Sequence, residues 1–168
     1  SGTVVLGRGM GLKGASISVA AFLYALSPRV LTTLTAISSE AWPVALVPWT
    51  IAPLLAPRLR RSDVAAAVIP VALMGAVNAT ATMMACLPAF LLLLYRAAWK
   101  PLAGWLLGVV LVSAWWIGPL LVLGRYSPPF TDFIESAYVT TRWTNLAEVL
   151  RGTTSWAPFV DTERTAGH

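Results

Sequence analysis

Charged residues are scarce in this 168-residue sequence, where they make up 11% of the chain against roughly 25% in ordinary soluble domains. They are also unevenly placed, because the stretches 64–95 and 101–124 contain none. Uncharged apolar runs longer than about 18 residues are typical of membrane-spanning helices. With a mean hydropathy of +0.72, the sequence argues against a water-soluble domain and predicts a polytopic, all-α membrane protein with short and broken helices.

Cysteine and histidine are also nearly absent. Cys86 is the only cysteine, which excludes a disulfide framework or a cysteine metal site within the chain, and its place in an uncharged run predicts a packing role. His168 is the only histidine and is given no functional role. The sequence contains no Walker loop, dinucleotide-binding glycine motif, zinc spacing or nucleophile elbow. We therefore predict no metal ligands; a divalent cation is compatible with the sequence but not indicated by it.

The basic residues give a net charge of +5 but do not form a stripe with interleaved aromatics, which argues against a nucleic-acid partner. They lie instead at the ends of apolar runs, as the positive-inside rule predicts for a membrane protein. Arg58, Arg60 and Arg61 follow one run, and Arg96 and Lys100 follow the next. Both clusters are therefore predicted to be cytoplasmic.

With both clusters placed in the cytoplasm, the apolar runs around them are predicted to be membrane segments. These runs are 14–28, 42–57, 64–95 and 101–124. The segment 64–95 begins and ends on the same side, so we expect either a hairpin of two short helices or a re-entrant excursion, with its break near Asn78. Broken helices are tolerated at membrane depth only against protein or a water-filled cavity, which predicts a cavity wall here. Residues 29–40 and 125–168 are then extracytoplasmic parts of a multi-pass plasma-membrane protein. Because the sequence begins Ser-Gly-Thr and is short, we expect an internal fragment of a longer protein.

The two outer segments contain the candidate site residues. Apolar residues recur at helical spacing over 130–138, which predicts an amphipathic helix lying on the membrane. Its polar face carries Asp132 and Glu135, and Arg142 lies on the same side, so these three are the best candidates. Arg29 and Glu40 lie in the other outer segment. Arg29 is either a phosphate-binding residue or a snorkelling anchor, and the outer arginines and acids are alternatively a surface network of ion pairs.

A last short helix is predicted after this segment. Asn145 fits an N-cap with Glu148 at the third helical position, and Gly152 follows Arg151 as a helix stop. We therefore interpret Glu148 as a capping residue.

Several strings resemble the AftD-type arabinofuranosyltransferases of actinobacterial cell envelopes, which are GT-C glycosyltransferases. The resemblance is carried by residues 27–34 (SPRVLTTL), 37–40 (ISSE), 124–130 (GRYSPPF), 134–137 (IESA), 77–82 (VNATAT) and 148–152 (EVLRG).

The resemblance implies a membrane domain of the GT-C type that transfers arabinofuranose, with inversion, from decaprenyl phosphate arabinose to arabinan of arabinogalactan or lipoarabinomannan. It also implies that the main catalytic base lies upstream of this sequence. Here Glu135 and Asp132 would be catalytic residues that, with Glu40, hold the acceptor hydroxyls. Arg29, Arg125 or Arg142 would neutralise the leaving lipid phosphate, and Tyr126 would contact substrate. The expected partners are a polyprenyl-phosphate sugar, an arabinan acceptor and membrane lipid.

Two other classes of function remain open from the residues alone. Broken helices with polar outer loops also occur in transporters and flippases of lipid-linked sugars. Transporters, however, usually bury ionisable residues near the membrane midplane, and the predicted spans contain none. The other alternative is a non-catalytic scaffold whose outer loops bind a partner.

Overall fold

The computed structural model describes residues 1–36, 38–75, 78–126 and 144–152. This part of the chain is helical and contains no strand, which agrees with the prediction of an all-α fold. In chain order the elements are α1 (Gly2–Gly9), α2 (Ala15–Ala25), α3 (Pro28–Ala36), α4 (Ser38–Ile51), a 3-10 turn (Ala52–Leu55), α5 (Arg61–Met74), α6 (Ala79–Tyr95), α7 (Trp99–Tyr126) and α8 (Leu146–Arg151).

The helix bounds differ from the predicted segments at several ends. The helix expected over 14–28 stops at Ala25, and Pro28 begins a new helix at an angle of 43°, since proline disfavours helix in the residue before it but suits a first helical position. The segment 42–57 is helical from Ser38, and its end is a 3-10 turn. The last predicted span continues to Tyr126.

Among the described residues, α7 is the one helix long and apolar enough to cross a membrane alone, and α2 with α3 qualifies as a bent pair. At 1.5 Å per residue, the 28 residues of α7 measure about 42 Å, whereas the 14 of α5 measure about 21 Å. The predicted hairpin consists of α5 and α6, and the chain between them, 75–78, includes the expected break at Asn78. That these two shorter helices cross a bilayer stays a prediction.

The core lies between α5, α6, α7 and the 3-10 turn. It contains Cys86, which has the packing role predicted for it, and Trp105, which is 2% exposed. Helices α5 and α7 run parallel, because Gly104 faces Val64 and Gly108 faces Val68 four residues later in each helix. A Cβ atom at Gly108 would stand only 2.8 Å from Val68 Cγ2, so the two helices approach closely at this glycine.

The bundle has two chemically different ends. At the basic end, Arg96 donates hydrogen bonds to the carbonyls of Leu54 and Pro57, so this cation holds the chain leaving the 3-10 turn. The starts of α5 and α7 meet at the same end. At the opposite end, the indole N–H of Trp42 donates to the Leu73 carbonyl in the last turn of α5, at 2.7 Å. Helix α4 therefore runs antiparallel to α5.

Helix α4 contains two prolines, and the structure shows how one of them is accommodated. Pro48 has no N–H, so the carbonyl of Val44 loses the donor that normally stands four residues on. The hydroxyl of Tyr24 in α2 donates to that carbonyl instead, at 2.5 Å. A side chain of a neighbouring helix thus compensates for the hydrogen bond that Pro48 cannot make.

Replacing Tyr24 by Phe is expected to destabilise the protein by about 1–3 kcal/mol, because it leaves a part-buried carbonyl without a donor. The measurement is the thermal unfolding midpoint of the full-length protein in detergent. Tyr95→Phe is the matched control, since Tyr95 is 89% exposed. Equal unfolding midpoints for the two variants would show that the hydroxyl group of Tyr24 does not contribute to stability.

Candidate functional site

A cleft of about 330 Å³ lies at the end of the bundle opposite the basic end, where α3, α4 and α6 meet. Its polar wall is formed by five side chains from three helix segments, and the remainder is apolar. The lining consists of Arg29, Thr33, Glu40, Val44, Val47, Asn78, Thr80, Ala81, Met84 and Ala85.

An ion pair stands in this cleft between Arg29 and Glu40. Arg29 Nη2 lies 3.1 Å from Glu40 Oε2, and the two side chains are 54% and 23% exposed. An exposed pair of this kind contributes at most about 1 kcal/mol to stability. Moreover, a cation in the first turn of a helix is opposed by the helix dipole, and Arg29 is the second residue of α3. The position of Arg29 is therefore poorly explained by stability alone.

The N-terminus of α6 contributes the third charge-bearing element of the cleft. Asn78 caps the helix by accepting the N–H of Ala81 at its side-chain oxygen, at 2.9 Å, and its carbonyl accepts the Thr82 hydroxyl at 2.9 Å. The other amides of this first turn have no intrahelical acceptor, and they carry the positive end of the helix dipole. The cleft thus combines one guanidinium, one carboxylate and one helix N-terminus.

The short helix α8 ends beside Arg29. Asn145 accepts the N–H of Glu148 at its side-chain oxygen, at 2.9 Å, and Gly152 ends the helix in the left-handed conformation, as predicted. A Cβ atom at Gly152 would lie 3.4 Å from Arg29 Cβ. The end of α8 therefore packs on the backbone side of the cleft arginine, a contact that the sequence pattern does not reveal.

The structure brings together some of the predicted site residues and not others. Arg29 and Glu40 form one site, and Asn78, predicted to lie in a cavity wall, lines it. Arg125 and Tyr126 are exposed at the end of α7, outside the cleft. Three further candidates lie outside the described residues: Asp132, Glu135 and Arg142. Within the described ranges no group of three metal-ligating side chains occurs.

The sequence and the fold both have known relatives. A family model described as alpha-(1->3)-arabinofuranosyltransferase, N-terminal GT-C domain, matches residues 1–168. The chain is 47% identical over 177 residues to the alpha-(1->3)-arabinofuranosyltransferase of Mycobacterium tuberculosis, covering 99% of this chain and 13% of that protein. It is 50% identical over 160 residues to the protein of the same name from Mycolicibacterium smegmatis, covering 89% of this chain and 11% of that protein.

A solved structure gives the same answer for the fold. The single-particle cryo-EM structure of arabinofuranosyltransferase AftD from mycobacteria matches with a TM-score of 0.75 and 43% identity, over 95% of this chain and 12% of that one. The chain thus spans between 11% and 13% of the length of these relatives. The match confirms the prediction of an all-α, GT-C-like membrane protein. This chain belongs to the AftD family of arabinofuranosyltransferases, in the region that the family model describes as the N-terminal GT-C domain.

Proposed function

We propose that the protein containing this chain transfers arabinofuranose from a polyprenyl phosphate carrier, decaprenyl phosphate arabinose, to cell-wall arabinan on the extracytoplasmic face of the membrane. The observation that carries the proposal within the chain is the cleft in which Arg29 and Glu40 pair beside the N-terminus of α6. The names of the relatives supply the sugar and the reaction type. The donor, the acceptor, the face and the inverting course belong to the proposal.

The cleft suits the leaving group of such a reaction. When the glycosidic bond to phosphate breaks, negative charge grows on the phosphate oxygens, and preorganised positive groups stabilise that charge. Arg29 presents a guanidinium, which can bind two phosphate oxygens at once, and the first turn of α6 adds backbone N–H groups. We assign these two elements to the phosphate of the donor.

Glu40 is assigned to hydroxyl groups of the sugars. A carboxylate only accepts hydrogen bonds when it is ionised, and sugar hydroxyls are donors of the right kind. Its pairing with Arg29 at 3.1 Å holds the guanidinium in place before the donor arrives. In this proposal Thr33 and Thr80 add hydroxyl groups to the same polar wall.

The remaining candidates act from the outer segment in this proposal. Glu135 and Asp132 are catalytic residues that hold the acceptor hydroxyls, and Arg142 helps to neutralise the leaving phosphate. Arg125 and Tyr126, at the exposed end of α7, contact the substrate from that side. The main base is supplied by another part of the longer protein.

The assignment of faces follows from the two ends of the bundle. The basic end carries Arg60, Arg61 and Lys100 and is assigned to the cytoplasm. The cleft is at the other end, which places 29–40 and 125–168 outside the cell in this proposal. An extracytoplasmic cleft is accessible to cell-wall arabinan, whereas a cytoplasmic one is not.

The proposal is tested by Arg29→Gln in the full-length enzyme. Loss of a charge-assisted hydrogen bond to phosphate is expected to lower kcat/KM for the polyprenyl phosphate donor by at least about tenfold, since such bonds contribute about 1.5–3 kcal/mol. Initial rates with decaprenyl phosphate arabinose and a synthetic arabinan acceptor give this ratio. The acceptor KM should change less than the donor KM.

The matched control is Arg58→Gln, which removes an exposed cation at the basic end. It should keep wild-type kinetics. An unchanged donor KM in Arg29→Gln would return Arg29 to the role of an interfacial anchor. If the wild-type protein transfers no arabinofuranose from this donor, the proposed reaction itself is wrong.

A further inference from the structure

A second, larger cavity lies at the basic end of the bundle, away from the cleft. It has a volume of about 740 Å³ and forms a groove between the N-terminal halves of the parallel helices α5 and α7. Three of its lining residues are cations, Arg60, Arg61 and Lys100. From there the lining changes to aliphatic side chains and to the bare backbone of Gly104 and Gly108.

The shape of the groove follows from the glycine spacing in α7. Gly104 and Gly108 are one turn apart and face Val64 and Val68 of α5. The helices touch at Gly108, where a Cβ atom would meet Val68 at 2.8 Å, but the nearest neighbour of a Cβ at Gly104 is 3.9 Å away. The groove is therefore closed at Gly108 and open toward Lys100. Eight residues of helix separate these positions, a length of about 12 Å.

The cations at the open end have few internal partners. No carboxylate of the described residues lies within 4.0 Å of the side-chain nitrogens of Arg60, Arg61 or Lys100. The nearest acid in the sequence, Asp63, accepts the backbone N–H of Arg60 at 2.8 Å and so is occupied with capping α5. Since α5 and α7 both begin here, two helix N-termini add positive potential to the same place.

This end also has the residues of a membrane interface. Trp99 and Tyr95 are 66% and 89% exposed beside the cationic mouth, and exposed Trp and Tyr next to basic residues are typical of the headgroup level. Basic pockets between membrane helices on the cytoplasmic side are the places where anionic lipid headgroups bind.

We propose that the groove between α5 and α7 binds one anionic phospholipid, with its phosphate at Arg60, Arg61 and Lys100 and an acyl chain along Gly104. An amphiphile with a single charged end matches a lining that changes from cationic to wholly apolar within one helical segment. A free phosphate ion would use only the mouth and leave the apolar length of the groove empty. This lipid site is separate from the transferase cleft and is independent of the proposed reaction.

The test is native mass spectrometry of the full-length protein, released from nanodiscs containing equal amounts of phosphatidylglycerol and phosphatidylcholine. The wild type is expected to retain one phosphatidylglycerol. Arg61→Gln with Lys100→Gln should weaken this retention by about twenty-five-fold, because each cation near an anionic headgroup contributes about fivefold. Gly104→Leu, which fills the groove but leaves all charges, should also abolish retention.

Two matched controls separate this site from general effects. Arg8→Gln with Lys13→Gln removes two exposed cations elsewhere, and Gly118→Leu adds the same side chain to α7 where nothing lies within 4 Å. Both should retain the lipid. Equal loss in the controls, no retained lipid in the wild type, or full displacement by inorganic phosphate would each overturn the proposal. The absence of retained lipid in the wild type would indicate that another segment of the longer protein fills the groove.

Discussion

Exchanging the two charges of the cleft, by Arg29→Glu with Glu40→Arg, is expected to restore the ion pair but not the transfer of arabinofuranose. Arg29→Glu alone places two carboxylates in the cleft, so it should destabilise the protein and repel the donor phosphate. We expect its kcat/KM for the donor to fall at least about a hundredfold, which corresponds to about 2.7 kcal/mol. Kinetics with decaprenyl phosphate arabinose and unfolding midpoints measure the two effects separately.

The double variant distinguishes a structural pair from a phosphate site. Both residues lie in the first turn of a helix, Arg29 in α3 and Glu40 in α4. The exchange therefore moves an unfavourable cation from one helix dipole to the other and is nearly neutral for stability. The unfolding midpoint should return to near the wild-type value while the donor kcat/KM stays low. Recovery of both the unfolding midpoint and the donor kcat/KM would show that the position of the cation within the cleft does not matter for transfer.

Substitution of Gly108 by Leu is expected to have the largest effect on stability. The glycine stands where α5 and α7 approach each other closely, and a Cβ atom would already lie 2.8 Å from Val68 Cγ2. Overpacking of this kind costs about 1–3 kcal/mol or more, because the helices must separate. The measurement is the thermal unfolding midpoint of the full-length protein in detergent.

A compensating variant and a matched control sharpen this prediction. Gly108→Ala should be milder than Gly108→Leu, and combining it with Val68→Ala should recover part of the loss, since Val68 supplies the clashing atoms. Gly118→Leu changes the same helix at a position with no neighbour within 4 Å and should be nearly neutral. Similar losses at Gly108 and Gly118 would mean that the contact with α5 is unimportant.

Local features were predictable from the sequence because they depend on neighbouring residues. The break near Asn78, the cap at Asn145 and the stop at Gly152 are set within one or two helical turns, and the structure shows all three. The packing role of Cys86 followed from its uncharged surroundings. The exact ends of the helices were harder to predict. An example is Ala25, where the bend at Pro28 divides one apolar stretch into two helices.

The composition of the cleft was only partly predictable, because it depends on contacts between distant residues. The predicted membrane topology placed Arg29 and Glu40 on the same side of the membrane. Whether their side chains meet depends on how α3 and α4 pack against each other. The contact of Gly152 with Arg29 has no signal in the sequence, since glycine is explained equally well as a helix stop. Arg125 and Tyr126 were expected in the polar outer segment, yet α7 continues through them as an exposed helix.

The unequal lengths of the helices have a consequence for biosynthesis. The ribosome produces α5 and α6 before α7, although α7 is the one described helix with the length and hydropathy to insert by itself. The close contact of α5 with α7 is impossible until Gly108 has been made. Until then α5, a helix of about 21 Å that contains Pro70, lacks this packing partner. We therefore expect α5 to complete its packing only after the first turns of α7 have been synthesised.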